Sequence, residues 1–345
     1  METTVIDYKK NCLNTIRFIA ALQVLFGHTV FHLEIPTSSL VNQISFFFQG
    51  VPVFFTMSGF LIWDSIGRSG NFIDYSKKRF WRIFPELWVA VLFEVIVLLF
   101  FMIWGGHFIN WLQVGLFTIT QSTIFQFWTP ECLRVYGVGC PNGALWTIGV
   151  LIQFYILAYF LHKLLYNKGL WIWGLTFIVT FLISWLPSSF TTSIPEVFSK
   201  LYSQTIFPYL WMFVLAMFVA EYKKDILVCL KKYWYIFIII NILFQIVEFD
   251  IMAGYGLVKT ITLFAGLLGF AYAVPCMNIK TDISYGIYIY HMTIINVIIE
   301  LGLVGKVSGF GLLMLTIIVT CILAWISTKT IGKWGLSKKT RLIAK

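Results

Sequence analysis

Residues 13–28 read LNTIRFIAALQVLFGH, an apolar stretch that carries an arginine, Arg17, and a histidine, His28. A cation inside a membrane-length apolar segment costs about 2.5–3.5 kcal/mol on insertion scales, so its presence needs a reason. At about 100° and 1.5 Å per residue, the spacing of the two residues puts their side chains on one helical face, roughly 16 Å apart. This register predicts one helix that carries an anion-binding arginine near its end and a titratable histidine deeper in the membrane.

Both residues also have ordinary explanations. An arginine near the end of a membrane span can extend to the lipid headgroups, and this explanation of Arg17 alone stays open. A single histidine within a span is often a hydrogen-bonded packing residue, which is the alternative for His28. The shared register favours the functional interpretation.

The composition is that of a membrane protein. Of 345 residues, 59% are hydrophobic and 12% charged, and the mean hydropathy is +0.85, more apolar surface than a soluble domain of this length covers. The formal charge of +10 does not indicate nucleic-acid binding, because Lys and Arg cluster in short loops between apolar segments. The sequence begins METTVIDYKK with no small-residue cleavage site, so no removable signal peptide is expected.

Apolar windows of about 17–22 residues predict an all-α, polytopic membrane bundle, a single domain over residues 1–345 with about ten transmembrane helices. We expect the spans near 12–33, 46–66, 86–105, 145–165, 170–187, 205–221, 233–250, 257–275, 284–301 and 309–328. Lys and Arg concentrate in both tails and in alternate loops, which places both termini in the cytoplasm. We expect the bundle to lie in the plasma membrane. Residues 108–125 fit this charge pattern only as an interfacial or re-entrant helix.

Two of the six cysteines, Cys132 and Cys140, lie in one loop that this topology turns outward. The two cysteines are eight positions apart, with two glycines between them and a proline near each end, a spacing that can close a small disulfide loop. We therefore expect this pairing, with two free thiols as the alternative. A metal site is not expected, because no second His or Cys pair occurs at ligand spacing.

Four motifs occur in order along the chain: the pair Arg17 and His28, GVPVFFTMSGFLI at residues 50–62, KRFWRIFP at residues 78–85 and SYGIYIYH at residues 284–291. Together they resemble the acyltransferase 3 family of integral-membrane enzymes, and the resemblance extends from about residue 12 to residue 328. Each motif alone is modest, but four in the right order form a specific pattern.

The resemblance implies transfer of an acetyl or other acyl group from cytosolic acetyl-CoA to a hydroxyl of a cell-envelope polysaccharide or its lipid-linked glycan precursor. Arg17, Arg79 and Arg82 would then hold the phosphates of the donor, and His28 would act as general base. Direct transfer to the acceptor and a transient acyl-His are both chemically open. For Arg79 and Arg82, anchoring to lipid headgroups is an equal alternative. The resemblance fixes neither the acceptor nor the oligomeric state.

One position departs from the family pattern. Where many relatives have a Glu in the segment LWTIGVLIQFY, this chain has Leu151. Glu94, in the middle of the third span, is a candidate replacement, with a protonated Glu hydrogen-bonded to a neighbouring helix as the alternative. Gln153 could supply a hydrogen bond without charge. His32, one turn from His28, and His291 in the fourth motif are further candidates for the active site; packing roles are the alternative for both.

A protein of another class would use these residues differently. A transporter or flippase for a glycan would employ the arginine and histidines to coordinate substrate or ions. Such transporters are built from related halves with broken helices, and no internal symmetry of this kind is evident in the sequence. A non-catalytic scaffold would leave Arg17 and His28 without a purpose.

Overall fold

The computed structural model of the protein describes residues 6–38, 41, 47–189, 196–251 and 255–343. For residues 187–189, 196–197 and 339–343 it describes the backbone alone. Across these ranges the chain is helical and contains no β-strand, so the predicted all-α class is confirmed. The predicted start of the second span, residue 46, lies outside the described residues.

The helices follow one another closely along the chain. In order they are α1 (Leu13–His32), α2 (Gly50–Gly67), α3 (Phe72–Trp104), α4 (Trp111–Gln121), α5 (Trp146–Leu165), α6 (Leu170–Ser189), α7 (Glu196–Ser203), α8 (Leu210–Glu221), α9 (Lys223–Ile246), α10 (Leu257–Ala273), α11 (Ser284–Glu300), α12 (Gly309–Ser327) and α13 (Lys333–Ile343). Short 3₁₀ turns occupy Glu131–Leu133, Phe207–Tyr209 and Pro275–Met277, and a π-helical turn occupies Thr328–Gly332.

Each of the ten predicted segments overlaps a helix of the structure. Five helical segments within the described residues are long and apolar enough to cross a membrane, and three more are apolar but shorter. These helices agree with a membrane bundle. The number of ten spans, the cytoplasmic termini and the single functional domain remain predictions.

Two helices begin earlier than the apolar windows indicate. Helix α3 starts at Phe72 rather than near residue 86, because Asn71 caps it by accepting a hydrogen bond from Asp74 N at 2.9 Å and the basic residues that follow are good helix formers. Helix α9 starts at Lys223 rather than near residue 233 and has non-helical backbone angles at Tyr233. Apolar windows detect only the part of a helix that is suited to lipid.

Helix α4 is the counterpart of the ambiguous stretch 108–125. It has eleven residues, and at 1.5 Å per residue it is about 16 Å long, shorter than the roughly 30 Å hydrocarbon layer. This length agrees with an interfacial or re-entrant helix.

The chain forms two compact units. The first contains the described residues of 1–20, 42–69 and 154–282, and the second contains those of 21–41, 70–153 and 283–345. Helices α1 and α5 are each continuous across a boundary between the units.

In the first unit, α2 packs closely against α8. A Cβ atom added at Gly59 would lie 2.9 Å from Ala216 Cβ and 3.0 Å from the Phe213 carbonyl oxygen, so only glycine allows this approach. The rings of Phe154 and Phe213 stack beside it, with centroids 3.6 Å apart. Gly59 of the second motif therefore serves the close packing of these two helices.

In the second unit, α11 packs between α3 and α12. Gly286 of α11 lies against Ala324 of α12, where a Cβ would meet the Ala324 Cα at 2.7 Å. Tyr290 OH donates a hydrogen bond to Ser327 Oγ at 3.2 Å across the same pair of helices. Helix α11 is therefore buried along most of its length, which positions the fourth motif inside the unit.

Gly59→Ala should lower the thermal unfolding midpoint of the detergent-solubilised protein, because the added methyl meets backbone that cannot yield; overpacking of this kind costs about 1–3 kcal/mol. The matched control is Gly27→Ala within α1, where no heavy atom lies within 4 Å of the new Cβ, and where alanine should be neutral or favourable by up to about 1 kcal/mol. Equal midpoints for the two variants would contradict the close packing of α2 and α8.

Candidate active site

Three of the predicted site histidines come together in the second unit. The Nδ1 atom of His28 lies 2.8 Å from the Nε2 atom of His291, and the two rings are stacked with centroids 5.0 Å apart. The ring of His32 stands edge-on to that of His28 at 5.9 Å. The structure thus brings the histidine of the first motif and the histidine of the fourth motif into direct contact.

The helices explain this arrangement. His28 and His32 are four residues apart on α1, so their side chains share a face. His291 lies on α11, where its Nδ1 is 3.1 Å from the carbonyl oxygen of Ile287, one turn earlier. His291 is fully buried, with 0% exposure, whereas His28 is half-buried. Of the two rings in contact, His28 is therefore the one that a substrate can approach.

The hydrogen bonds fix the tautomers of the two rings in their neutral forms. A carbonyl oxygen only accepts, so Nδ1 of His291 carries its proton and donates to Ile287. The Nε2 of His291 is then an acceptor, and Nδ1 of His28 donates to it. The remaining nitrogen, Nε2 of His28, carries no proton and has its lone pair available as a base.

This chain of hydrogen bonds resembles the base and its orienting partner in hydrolytic triads, with a backbone-anchored imidazole in the place of the carboxylate. A neutral partner fixes the ring and the tautomer of His28 without placing a second charge in the bundle. Thr147 donates to Tyr288 OH at 2.6 Å, and the Tyr288 ring lies edge-on to His291 at 5.9 Å. The sequence did not single out Thr147 and Tyr288, which support the buried histidine.

Glu94 lies in a different polar cluster of the second unit. It is 1% exposed, and its Oε2 accepts a hydrogen bond from Asn142 Nδ2 at 3.3 Å. Asn142 Nδ2 also donates to the carbonyl oxygen of Ile289 at 2.9 Å. Ile289 precedes His291 by two positions, about 200° around α11, so Asn142 contacts the side of this helix away from the histidines.

Gln153, the other candidate for the missing Glu function, is half-buried on α5. His28 is in contact with His291, and Glu94 is in contact with Asn142. Sequence reasoning missed Asn142, because nothing in its local pattern indicates that the loop before α5 folds onto α11.

The loop before α5 is held to α11 by Asn296. Its Nδ2 donates to the carbonyl oxygens of Cys140 and Pro141 at 3.1 and 2.8 Å, and its Oδ1 accepts from the N–H of Val138 at 2.9 Å. One buried side chain thus satisfies three backbone groups of the loop. These bonds fix the position from which Asn142 reaches Glu94.

The predicted disulfide in this loop is not formed in the structure. Cys132 and Cys140 are both free thiols, and Cys140 Sγ instead lies 3.4 Å from the Thr129 hydroxyl. Burial raises the pKa of the Cys140 thiol, so the thiolate needed for disulfide exchange is disfavoured at this position.

Arg17 belongs to the first unit, where it forms an ion pair with Asp282. Its Nη1 lies 3.0 Å from Asp282 Oδ2. The start of α1 is fixed to the segment before Asp282, because Thr15 Oγ1 donates to the Met277 carbonyl and accepts from Ile279 N at 3.0 Å. A guanidinium has five N–H donors, so an ion pair with one carboxylate leaves other N–H groups of Arg17 that can bind an anion.

The other two predicted donor ligands, Arg79 and Arg82, lie half-buried on α3 in the second unit. The guanidinium of Arg79 is 5.8 Å from the ring centroid of Tyr75, a cation–π distance. In the part of the chain that the structure describes, no group of three or more His, Cys, Asp or Glu side chains is arranged to hold a metal ion. The roles of these arginines and of metals remain predictions.

A contacting pair of neutral imidazoles within apolar helices is an arrangement suited to proton transfer in a membrane-embedded protein. The sequence model of the acyltransferase domain family matches residues 10–329. The chain belongs to this family, and the resemblance seen in the four motifs is confirmed.

Two curated relatives cover nearly the whole chain. Nodulation protein 10 of Rhizobium leguminosarum bv. viciae is 28% identical over 97% of this chain and 96% of its own length. The O-acetyl transferase of Shigella phage Sf6 is 27% identical over 92% of this chain and 94% of its own length. No solved structure matches.

Because Glu94 lies in a polar cluster apart from the histidines, Glu94→Gln tests whether its carboxyl group takes part in the chemistry. The amide keeps the volume and an acceptor oxygen for Asn142, so the variant should retain most of its thermal stability and acyl-transfer activity. Glu94→Ala should lose about 2–5 kcal/mol, because it opens a cavity and leaves the buried Asn142 amide short of a partner. Leu92→Ala, at an exposed position of the same helix, is the control. A Glu94→Gln protein that is stable but inactive would place this carboxyl in the chemistry.

Proposed function

We propose that the protein is an O-acyltransferase of the plasma membrane that moves an acetyl group from cytosolic acetyl-CoA to a hydroxyl of an envelope glycan or its lipid-linked precursor. The observation that carries the proposal is the 2.8 Å contact of His28 with His291, which leaves Nε2 of His28 as a free base. Membership of an acyltransferase family and similarity to an O-acetyl transferase support this chemistry.

In the proposed reaction, Nε2 of His28 accepts the proton of the acceptor hydroxyl as the hydroxyl oxygen attacks the acyl carbon. The new C–O bond forms, the C–S bond of the thioester breaks, and the proton on His28 passes to the leaving thiolate. His28 therefore ends the reaction as it began, and no further reactant is needed. General bases of this kind typically contribute about 10²–10⁴-fold to a rate.

His291 is a positioning residue in this mechanism. Its Nε2 accepts from Nδ1 of His28 in the resting state, and the same hydrogen bond stabilises the His28 imidazolium while the proton is on Nε2. The carbonyl of Ile287 holds the His291 ring and its proton in place. Both rings are therefore oriented before the acceptor arrives, which limits the reorganisation needed during the reaction.

We infer that Arg17, Arg79 and Arg82 bind the phosphates of the donor. Guanidinium groups match phosphate geometry bidentately, and the distribution of Lys and Arg in the sequence predicts that each of these arginines lies near the cytosol, where acetyl-CoA is made. Asp282 would hold the Arg17 side chain in a fixed direction before the donor binds.

A glycan flippase would use the same residues without forming a covalent product. The direct test is therefore product formation: purified protein in liposomes, with acetyl-CoA labelled in the acetyl group, should transfer label to extracted envelope glycan or glycolipid. Movement of the glycan without any transfer of label would support the flippase and contradict the proposal.

His28→Ala should reduce the turnover number by about 10²–10⁴-fold without changing the yield of folded protein, since only the base is removed. His291→Phe should also reduce turnover while the KM for the donor stays constant, because the orienting acceptor is lost. His291→Gln, whose amide oxygen can accept the same proton, should recover part of the loss.

The control for these variants is His162→Phe, which changes a half-buried histidine of a helix in the first unit and should leave the turnover number unchanged. Full activity in His28→Ala would eliminate His28 as the base. If His291→Gln and His291→Phe are equally impaired, the orienting role assigned to His291 fails.

Arg17→Ala should weaken donor binding by roughly tenfold to a hundredfold, the loss expected for one or two charge-assisted hydrogen bonds of about 1.5–3 kcal/mol. The KM for the acceptor should change little. Lys224→Ala removes an exposed positive charge on the same predicted side of the membrane and should leave donor affinity intact. Calorimetric titration with acetyl-CoA measures the donor affinity of both variants, and equal affinities would remove Arg17 from the donor site.

A further inference from the structure

His32 lies beside the proposed base, and the proposed mechanism gives it no role. It is four residues after His28 on α1, and helical side chains tilt toward the N-terminal end, so its ring leans toward that of His28. The two ring centroids are 5.9 Å apart, with 66° between the ring planes. Phe31 contacts the same ring edge-on at 5.0 Å. These two ring contacts orient the imidazole of His32 and leave its nitrogens unbonded.

The nitrogens of His32 are open to a ligand. The residue is half-buried, and within the described residues its contacts are with the two rings alone. The buried polar atoms that lack a hydrogen-bond partner in the described chain include no nitrogen of His28 or His32. The unbonded Nε2 of His28 and both nitrogens of His32 are therefore accessible, and they lie on one face of one helix.

The end of α1 holds His32 in place without covering it. The N–H of Ile35 donates to the carbonyl of Val30 at 3.0 Å, and Glu34 between them has a left-handed φ of 52°, as in a Schellman motif. Ile35 in turn packs against the start of α12, where a Cβ at Gly309 would lie 2.7 Å from Ile35 Cγ2. His32 is the last residue of the helix, so no further turn of α1 lies over its ring.

Two accessible imidazoles side by side suit a ligand with two hydroxyl groups. A neutral imidazole has one N–H donor and one acceptor nitrogen, and a hydroxyl can both donate and accept. Because the two rings are only 5.9 Å apart, the hydroxyls that they bind must belong to one small group rather than to distant parts of a chain. Neighbouring hydroxyls of a sugar ring meet this condition, and a simple alcohol does not.

We propose that His32 binds a second hydroxyl of the acceptor, next to the hydroxyl that reacts at His28, so that the enzyme selects a sugar with two neighbouring hydroxyls. This inference rests on the proposed acyl transfer. The hydroxyl at His32 stays unacylated, and the proton of the reacting hydroxyl still passes through Nε2 of His28. His32 therefore determines the affinity for the acceptor and its orientation, and it takes no part in bond making or breaking.

The test uses the full-length protein in liposomes, acetyl-CoA labelled in the acetyl group, and envelope glycan extracted from cells that lack the protein. His32→Phe keeps an aromatic ring and removes both nitrogens, so the KM for the glycan should rise about tenfold, the value of one hydrogen bond. The turnover number and the KM for acetyl-CoA should change less than twofold. His32→Gln, which can still bond a hydroxyl, should recover part of the acceptor affinity.

The matched control is His107→Phe, which changes an exposed histidine in the loop before α4 and should leave all three constants at the wild-type values. Thermal midpoints verify that the variants are folded.

Small competitors test the second hydroxyl itself. A mixture of cis- and trans-1,2-cyclohexanediol should inhibit transfer of label to the glycan at about tenfold lower concentration than cyclohexanol does, because cyclohexanol lacks the group that His32 binds. In His32→Phe the diol and cyclohexanol should inhibit equally.

An unchanged acceptor KM in His32→Phe, with or without a lower turnover number, would overturn the inference. Equal inhibition of wild type by the diol and by cyclohexanol would overturn the selection of two hydroxyls. Both results leave the proposed function standing, because wild type still transfers label. If wild type transfers no label to the glycan, the proposed function fails, and this inference fails with it.

Discussion

The contact of His28 with His291 joins the first and the fourth motif inside the second unit. The two imidazoles meet at 2.8 Å within apolar helices, where water is scarce and an unpaired polar group is costly. Ile287 supplies the partner for His291. The direction of both rings and the nitrogen of His28 that stays free follow from these two hydrogen bonds.

Helix α11 holds that contact because both of its sides are anchored. One side carries Tyr288 and His291, and the other is bound by Asn142 and, through Asn296, by the loop before α5. Tyr290 adds a hydrogen bond to α12. Polar groups buried in this way specify a single packing arrangement when all are satisfied. The helix that carries His291 is therefore fixed on several sides, as the preorganised site that we propose requires.

The sequence predicted the helices well because apolar length and charge distribution act locally. The starts of α3 and α9 were misjudged, because an apolar window ends where lysines and arginines begin although the helix continues. The face shared by Arg17 and His28 followed from helical periodicity alone.

The partners of the site residues could not be predicted in the same way. His291 was a candidate from its motif, but its contact with His28 joins residues 263 positions apart. The pairs of Arg17 with Asp282 and of Glu94 with Asn142 are equally remote in sequence. The expected disulfide is not formed in the structure, since spacing indicates which cysteines can meet but not that the Cys140 thiol contacts Thr129.

The central claim is that His291 fixes the tautomer of His28 so that Nε2 is the free base. Nitrogen NMR of protein labelled with ¹⁵N at the histidine rings tests this claim most directly, with His28→Gln and His291→Gln used to assign the signals. We expect both rings to be neutral and protonated at Nδ1, with a coupling across the hydrogen bond between His28 Nδ1 and His291 Nε2. Protonation of His28 at Nε2, or the absence of a hydrogen bond between the rings, would contradict the account.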